Sequence, residues 1–385
     1  MRDSKTLGTY NMMNKKADGI EERSNKVSLL LPTLFVGGAE KVSLNLAGEF
    51  HRMGYDVDLV LSEKKGELLS EVPKGVNVVN LDEWTPLFSG VVPSTPALAY
   101  YLRKIRPDTV ISALTHSNLS IILASRIAGY PDNLIITEHL HTSSPSRKQE
   151  VAFELAKFLY TEADEIVAVS KGVAEGVSSK CDIGIGQIKT ITNPVVSPDI
   201  HRKKKEPIEH RWFDREVPVI TSLGRLADQK DYPTLLHSFK KLLSKRDARL
   251  VVIGTGELRE DLEDYSEQLE IDNKVEFTGF VDNPYKYLYN SDAFVMSSKK
   301  EGLPTVLIEA LACGCPIIST DCPSGPREIL QNGKYGRLVP VGDSMALAES
   351  VDDVLSDPPS AERQFTRAED YSVSVAAKRY QDLFK

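Results

Sequence analysis

The sequence predicts an α/β protein built of two Rossmann-like domains in tandem, each a parallel sheet wrapped by helices, with a cleft between them. Three observations carry this reading. Short β-branched runs alternate with helical patterns from Val27 onward; the alternation halts once, over 193–217, and then restarts; and 385 residues is about two domains' length of chain.

In the first half, strands are predicted at 27–31, 57–61, 76–80, 109–113, 134–137, 165–169 and 188–192, enough for one doubly wound sheet. The stretch 193–217 contains Pro194, Pro198 and Pro207, is rich in charge and has no sustained period, so it reads as a connection. Strands resume at 217–223, 250–253, 275–278, 293–297, 316–320 and 337–339. Between the first two of these a helix is plain, because Leu235, Leu236, Phe239, Leu242 and Leu243 fall on one face. The division predicted is a leader over 1–24, a first domain over 25–198, a linker over 199–216, a second domain over 217–371 and a terminal segment over 372–385. The leader mixes charges with Met12 and Met13 and lacks the apolar stretch of a signal peptide, so it is expected to be disordered. Residues 373–384 carry apolar positions at helical spacing, and are expected to cross back and pack on the first domain.

Composition narrows the classes of function. Apolar residues at 41% and charged residues at 26% are ordinary for a globular chain. A net charge of −8 argues against a general nucleic-acid binder, which needs surplus Lys and Arg facing phosphates. The basic run His201, Arg202, Lys203, Lys204, Lys205 either attracts an anionic membrane surface or is a solvated linker. No apolar run approaches the ~20 residues that cross a bilayer. The four cysteines, Cys181, Cys313, Cys315 and Cys322, match no zinc-ligand spacing and read as reduced thiols of a cytoplasmic protein.

The most informative stretch runs from Glu301 through Gly302, Leu303, Pro304 and Thr305 to Glu309. Pro304 suits the first turn of a helix, where its missing N–H has no partner to lose. Amides of the residues beside it then offer donors and a positive dipole end to an anion such as a diphosphate. Glu301 and Glu309 fall at separate points along the helix axis, spaced for two ends of an extended ligand: sugar hydroxyls at one, a ribose at the other. A second signal is Gly224-Arg225 beyond a strand's carboxyl end, followed by Lys230. Their cations are placed to neutralise a leaving diphosphate, or are simply surface charges. Gly37-Gly38, after the first strand, allow close approach of backbone to a phosphate or sugar. His116, His139 and His141 follow strands of the first domain and are expected to face the cleft, His139 foremost. Asp56-Val57-Asp58 resembles a paired-aspartate cation site but falls at a strand entry, so no metal site is assigned.

From about residue 27 to the C-terminus the chain resembles the retaining group 1 glycosyltransferases of the GT-B fold. The residues that carry the resemblance are Gly37-Gly38-Ala39-Glu40, Thr137-Glu138-His139, Asn193-Pro194, Gly224-Arg225 with Lys230, Gly254-Thr255-Gly256, and 301–309. It implies transfer of a hexose or N-acetylhexosamine from a nucleotide sugar, most simply a UDP-sugar, with no metal or cofactor and with retained anomeric configuration. Arg225 and Lys230 then hold the diphosphate, Glu309 the ribose and Glu301 the sugar hydroxyls, while amides after Gly302 hold phosphate and His139 lines the reacting face. Gly224, Gly254 and Gly256 belong to the donor side, and 279–282, with Phe280 and Val281, contact the base. Glu138, His116 and His141 are acceptor-side candidates. A narrower resemblance, in 321–329 (DCPSGPREI) and 137–141 (TEHLH), is to bacterial enzymes that extend polyprenyl-diphosphate-linked oligosaccharides or surface polysaccharides. The implied acceptor is a glycan or lipid-linked glycan, met at the inner face of the membrane by a peripherally associated protein. A helix-start role accounts for Ser324 and Glu328 equally well. The competing readings are a UDP-sugar epimerase of the same architecture, which turns over without acceptor; a Rossmann oxidoreductase, whose full glycine fingerprint is missing; and a silent nucleotide-sugar-binding subunit.

Overall fold

The computed structural model describes residues 25–35, 37–83, 94–129, 132–139, 147–214, 217–323 and 325–385. The leader 1–24, His141 and Ser324 lie outside the described residues.

Among the described residues, runs of Val, Ile and Leu too apolar to alternate form thirteen strands that are covered on both faces where they are central. In chain order these are β1 (Lys26–Leu31), β2 (Asp56–Leu61), β3 (Asn77–Asn80), β4 (Thr109–Ala113), β5 (Asn133–Glu138), β6 (Glu165–Ala168), β7 (Ile188–Thr190), β8 (Val219–Leu223), β9 (Arg249–Ile253), β10 (Val275–Gly279), β11 (Ala293–Met296), β12 (Ile317–Thr320) and β13 (Arg337–Val339). Every residue of β4 and β5 is buried, which is how a strand with helices on both sides reads. The first sheet has order β3-β2-β1-β4-β5-β6-β7 and the second β10-β9-β8-β11-β12-β13. Every pairing is parallel, with Leu29 beside Leu59 and Ile111 in the first sheet, and Ile220 beside Leu250 and Ala293 in the second. All the predicted strands form, and the fold class is the predicted one.

The helices are α1 (Gly38–Arg52), α2 (Thr95–Ile105), α3 (Thr115–Ala128), α4 (Arg147–Leu159), α5 (Lys171–Cys181), α6 (Pro198–Lys203), α7 (Tyr232–Leu243), α8 (Arg259–Gln268), α9 (Tyr285–Asn290), α10 (Thr305–Cys313), α11 (Pro326–Ile329), α12 (Ser344–Ser356), α13 (Ala361–Ala368) and α14 (Val373–Gln381). Strand order reverses direction between β1 and β4 in one sheet and between β8 and β11 in the other. Loops leaving those strands open into the crevice where ligands of doubly wound sheets bind. They carry Gly38, Leu114, Lys230 and Glu301.

Residues 199–216, expected as a linker, are largely built into the second domain. Pro198–Lys203 is a helix, and Trp212 is buried against Val219, Val251 and Ile253. Lys204 is buried as well: its ammonium donates to the Ala312 carbonyl at 2.7 Å and lies 4.1 Å from the centre of the Phe365 ring. Arg202 pairs with Asp199 and Glu206, and Lys203 with Asp199. A basic run that looked available to a membrane therefore spends most of its charge on its own chain.

The terminal helix α14 lies on the first domain. Tyr380 is buried among its core residues, Gln381 donates to the Tyr55 hydroxyl at 2.9 Å, and Asn133 donates to the Leu383 carbonyl at 2.9 Å. Across the cleft, the amide of Lys171 at the start of α5 donates to Glu328 of α11 at 3.0 Å. Glu328 thus serves a helix start, but one that belongs to the opposite domain.

Candidate active site

The loop from β11 into α10 is the centre of the site. Pro304 is the residue before the helix rather than in its first turn, with φ −70° and ψ 95°. α10 has no side-chain cap and no acidic residue in its first turn, so no side chain of its own serves the leading N–H groups. Gly325, at φ 83°, closes under this turn: a side chain there would meet the Pro304 ring at 2.3 Å. The β8 and β11 loops are laced together. Lys230 donates to Glu301 Oε1 at 2.6 Å, Ser298 donates to the same oxygen at 2.7 Å, and Ser297 holds the Lys230 carbonyl at 2.7 Å.

Gly38, Ala39, Glu40, Leu114, His139 and Asn193 of the first domain face Gln229, Lys230, Glu301, Gly302, Leu303, Pro304, Thr305 and Val306 of the second around a cavity of about 350 Å³. A neighbouring cavity of about 500 Å³ is lined by Lys41, Asn45, Asp282, Tyr285 and Glu309 among others. Gly38 and Thr305 border both, so the two are compartments of one cleft. At that waist a methyl group on Gly38 would stand 4.0 Å from the Thr305 methyl.

The two helix starts that meet there differ. Glu40, in the first turn of α1, folds its carboxylate over Gly37, where a side chain would come within 2.2 Å of Oε2. That carboxylate already answers the dipole of α1, whereas α10 carries none. Gly37 is accounted for by Glu40, and no carboxylate occupies the first turn of α10. Burial raises the Glu40 pKa.

His139 is part-buried at the cavity wall, and burial lowers its pKa to about 4, so the imidazole is neutral near pH 7. Glu309 is buried at the edge of the second compartment; burial raises its pKa, and the charge of Lys41 opposes the rise. Glu138 does not reach the cleft. It is 1% exposed and accepts hydrogen bonds from Tyr160, from Thr115 at 3.0 Å and from Asn118 at 3.0 Å, tying the end of β5 to α3. Burial raises its pKa.

Other expected donor or acceptor residues lie off the two cavities. Arg225 and His116 are exposed. Gly224 packs beside Lys230 and Tyr232. Gly254, at φ 141°, lies against the Gly224 carbonyl, where a side chain would approach to 2.0 Å; Gly256 meets the Leu226 carbonyl in the same way. Those two glycines serve backbone packing between the β8 and β9 loops. Phe280 is 61% exposed, and Val281 packs against the cluster around Trp212. Asp58 is committed to Lys26, Asn77 and Tyr101, as a strand-entry residue should be.

Sequence reasoning assigned no role to Glu40, Lys41, Leu114, Asn193, Gln229 or Tyr285. Glu40 and Asn193 stood inside quoted motifs. Leu114 carried no signal at all, yet it has φ 78° and ψ 138°, a conformation that leucine rarely adopts.

Two family signatures divide the chain at the linker. Residues 36–197 match Glycosyltransferase Family 4, and residues 204–370 match Glycosyl transferases group 1. The chain belongs to the group 1 glycosyltransferase family.

Among curated relatives of this glycosyltransferase, one from Campylobacter jejuni is 29% identical over 341 residues, covering 86% of this chain and 90% of its own. It is the N-acetylgalactosamine-N,N'-diacetylbacillosaminyl-diphospho-undecaprenol 4-alpha-N-acetylgalactosaminyltransferase. An uncharacterized glycosyltransferase of Methanocaldococcus jannaschii is 31% identical over 240 residues, 60% of this chain and 59% of that one. Of solved structures, Anabaena HepE in complex with UDP superposes with a TM-score of 0.74 at 19% identity, over 93% of this chain and 98% of that one. A glycosyltransferase from Rickettsia africae gives 0.76 at 16% identity, over 94% and 98%. These likenesses establish the GT-B fold.

Proposed function

We propose that this glycosyltransferase binds a UDP-sugar stretched along the cleft and transfers its hexose or N-acetylhexosamine to a glycan or polyprenyl-diphosphate-linked glycan, with retention and without a metal. The observation that carries this reading is the Lys230–Glu301 pair set beside the uncapped start of α10. In the proposed pose the sugar occupies the compartment of Glu301, the ribose lies by Glu309, and the diphosphate crosses the waist at Thr305. Negative charge grows on the diphosphate as the glycosidic bond breaks, and fixed amides and a lysine stabilise it without reorganising. Lys230 takes that role in the cavity; the exposed Arg225 joins only by moving toward it.

The bond from the anomeric carbon to phosphate oxygen breaks, and the acceptor oxygen bonds to the same face. The acceptor proton passes to the leaving phosphate oxygen. Retention by this route needs no carboxylate nucleophile. That suits a site where Glu301 is held by Lys230 and Ser298, and Glu40 is folded on Gly37. The neutral His139 donates or accepts a hydrogen bond at the reacting face.

The lipid-linked acceptor is suggested by the Campylobacter relative, whose acceptor is a diphospho-undecaprenol glycan. Among the described residues no helix is long and apolar enough to cross a membrane. We accordingly propose a cytoplasmic protein meeting its acceptor at the inner membrane face by peripheral contact. The test is calorimetry with UDP and UDP-sugars, followed by NMR of the product's anomeric configuration. Submicromolar-to-millimolar UDP binding and a product of the donor's configuration are expected. Failure to bind UDP, or an inverted product, overturns the reading, and turnover without acceptor favours the epimerase.

A further inference from the structure

The start of α5 is served by two side chains, and only one of them is its own. Ser170, at φ −154° and ψ 164°, accepts from the Val173 amide at 3.1 Å, as a helix cap does. No acidic residue stands in the first turn of α5, yet a carboxylate is there: Glu328 of the second domain accepts from the Lys171 amide at 3.0 Å. The same helix start reaches back across the cleft, with the Ser170 hydroxyl 3.5 Å from the Gly302 carbonyl oxygen.

Glu328 is tied into the side of its domain that faces the cleft. Gly325, just before α11, packs so closely on the 302–304 loop that a side chain there would come within 3.1 Å of the Gly302 carbonyl oxygen and 3.3 Å of Leu303 Cα. At its other end α11 is held by the buried Arg367, whose guanidinium donates to the Glu328 and Ile329 carbonyls, both at 2.8 Å, and to the Tyr371 hydroxyl at 2.6 Å. The Tyr371 carbonyl in turn accepts from the Val195 and Val196 amides, at 3.1 and 3.0 Å, and the Val373 amide donates to the Val196 carbonyl at 3.0 Å. Those two segments are where the chain passes between the domains. One polar chain thus runs from the crossing, through Arg367 and α11, to α5 on the far side of the cleft.

We propose that Glu328 is a positioning residue: by capping α5 from the opposite domain it latches the cleft in the arrangement that sets His139 against Glu301 and Gly302. The crossing segments are the hinge of this latch. Glu328 is half-buried and Lys171 exposed, so their contact biases the closed state without locking it. A cleft that must open to release product needs a bond of this modest kind. The latch is independent of which nucleotide sugar occupies the site.

Lys171 is the first residue of α5, where the missing N–H of proline has no intrahelical partner to lose, so Lys171→Pro removes the donor at little cost to the helix. Ser170 already has the extended backbone that a following proline requires. Spin labels on Ser179→Cys of α5 and Glu349→Cys of α12, both exposed sites in a chain whose own cysteines are buried, report the interdomain distance of the ligand-free protein by electron double resonance. Lys171→Pro and Glu328→Ala should each raise the long-distance fraction about fivefold, and the two together no more than either alone. Glu328→Gln keeps an acceptor, and Lys171→Ala keeps the amide; both should stay near wild type. The rate of transfer should fall in step with the closed fraction. Unchanged distances in either Lys171→Pro or Glu328→Ala, additive opening by the pair, or a glutamine variant as open as the alanine one overturns the latch. Opening without loss of rate overturns the positioning role. Absence of transfer by wild type instead removes the proposed function and leaves the distances to decide the latch.

Discussion

The ammonium of Lys230 lies 2.6 Å from Glu301 Oε1, joining the loop after β8 to the loop after β11 at the mouth of an uncapped helix. Their side chains are 18% and 9% exposed, so neither charge is well hydrated without the other. Lys230→Ala should cost about 1–3 kcal/mol of stability, because it strands a carboxylate. The double variant Lys230→Met with Glu301→Gln should recover most of that loss. Transfer should stay at least about 100-fold down in all of these, since the cation proposed to hold the diphosphate is gone. Denaturant melts beside steady-state rates separate the two effects; normal transfer by the double variant would remove Lys230 from the mechanism.

Leu114 lines the same compartment as Glu301 and has φ 78°. Branching at Cβ worsens that conformation and glycine relieves it. Leu114→Ile should therefore destabilise the protein by about 1–2 kcal/mol more than Leu114→Gly, although isoleucine keeps the volume. Thermal melts decide it, and the reverse order would show that packing outweighs backbone strain here.

Burial holds the His139 pKa down at about 4, against an ordinary value of 6.5. The unfolded chain thus binds a proton that the folded chain refuses. The stability this residue contributes is complete above about pH 6.5 and is lost as pH falls from there toward 4. His139→Gln should flatten the acid limb of the stability profile over that window. NMR titration of the imidazole checks it directly, and a midpoint near 6.5 would refute the burial.

Lys204 caps the far end of α10 through the Ala312 carbonyl. Lys204→Ala should lower stability by about 1–2 kcal/mol, while Lys205→Ala, whose residue is exposed, should be neutral. Sedimentation with anionic vesicles should show no selective loss for either. A drop in vesicle binding for the exposed Lys205→Ala, with stability unchanged, would return the run to a membrane role.

Transfer should persist in excess chelator, since Lys230 and the α10 amides are proposed to carry the diphosphate charge. Activity lost on chelation and restored by Mg²⁺ or Mn²⁺ would contradict that.

The sequence by itself determined the two sheets and their strands, and it pointed to 301–309, the segment that lines the cleft. Hydrophobic runs, prolines and helix-start chemistry are local, and local patterns survive without knowledge of the fold. Tertiary structure alone decided which polar residues share a space. Glu138 and His139 are adjacent in sequence, yet one is bonded to Thr115, Asn118 and Tyr160 inside the first domain and the other lines the cleft. Gly254 and Gly256 looked like ligand-binding glycines but answer to neighbouring carbonyls. Asn193 and Leu114 became visible only once burial, backbone angle and cavity could be read together. The reason is physical: a side chain's solvation and partners come from segments far along the chain, and only folding brings those segments into contact.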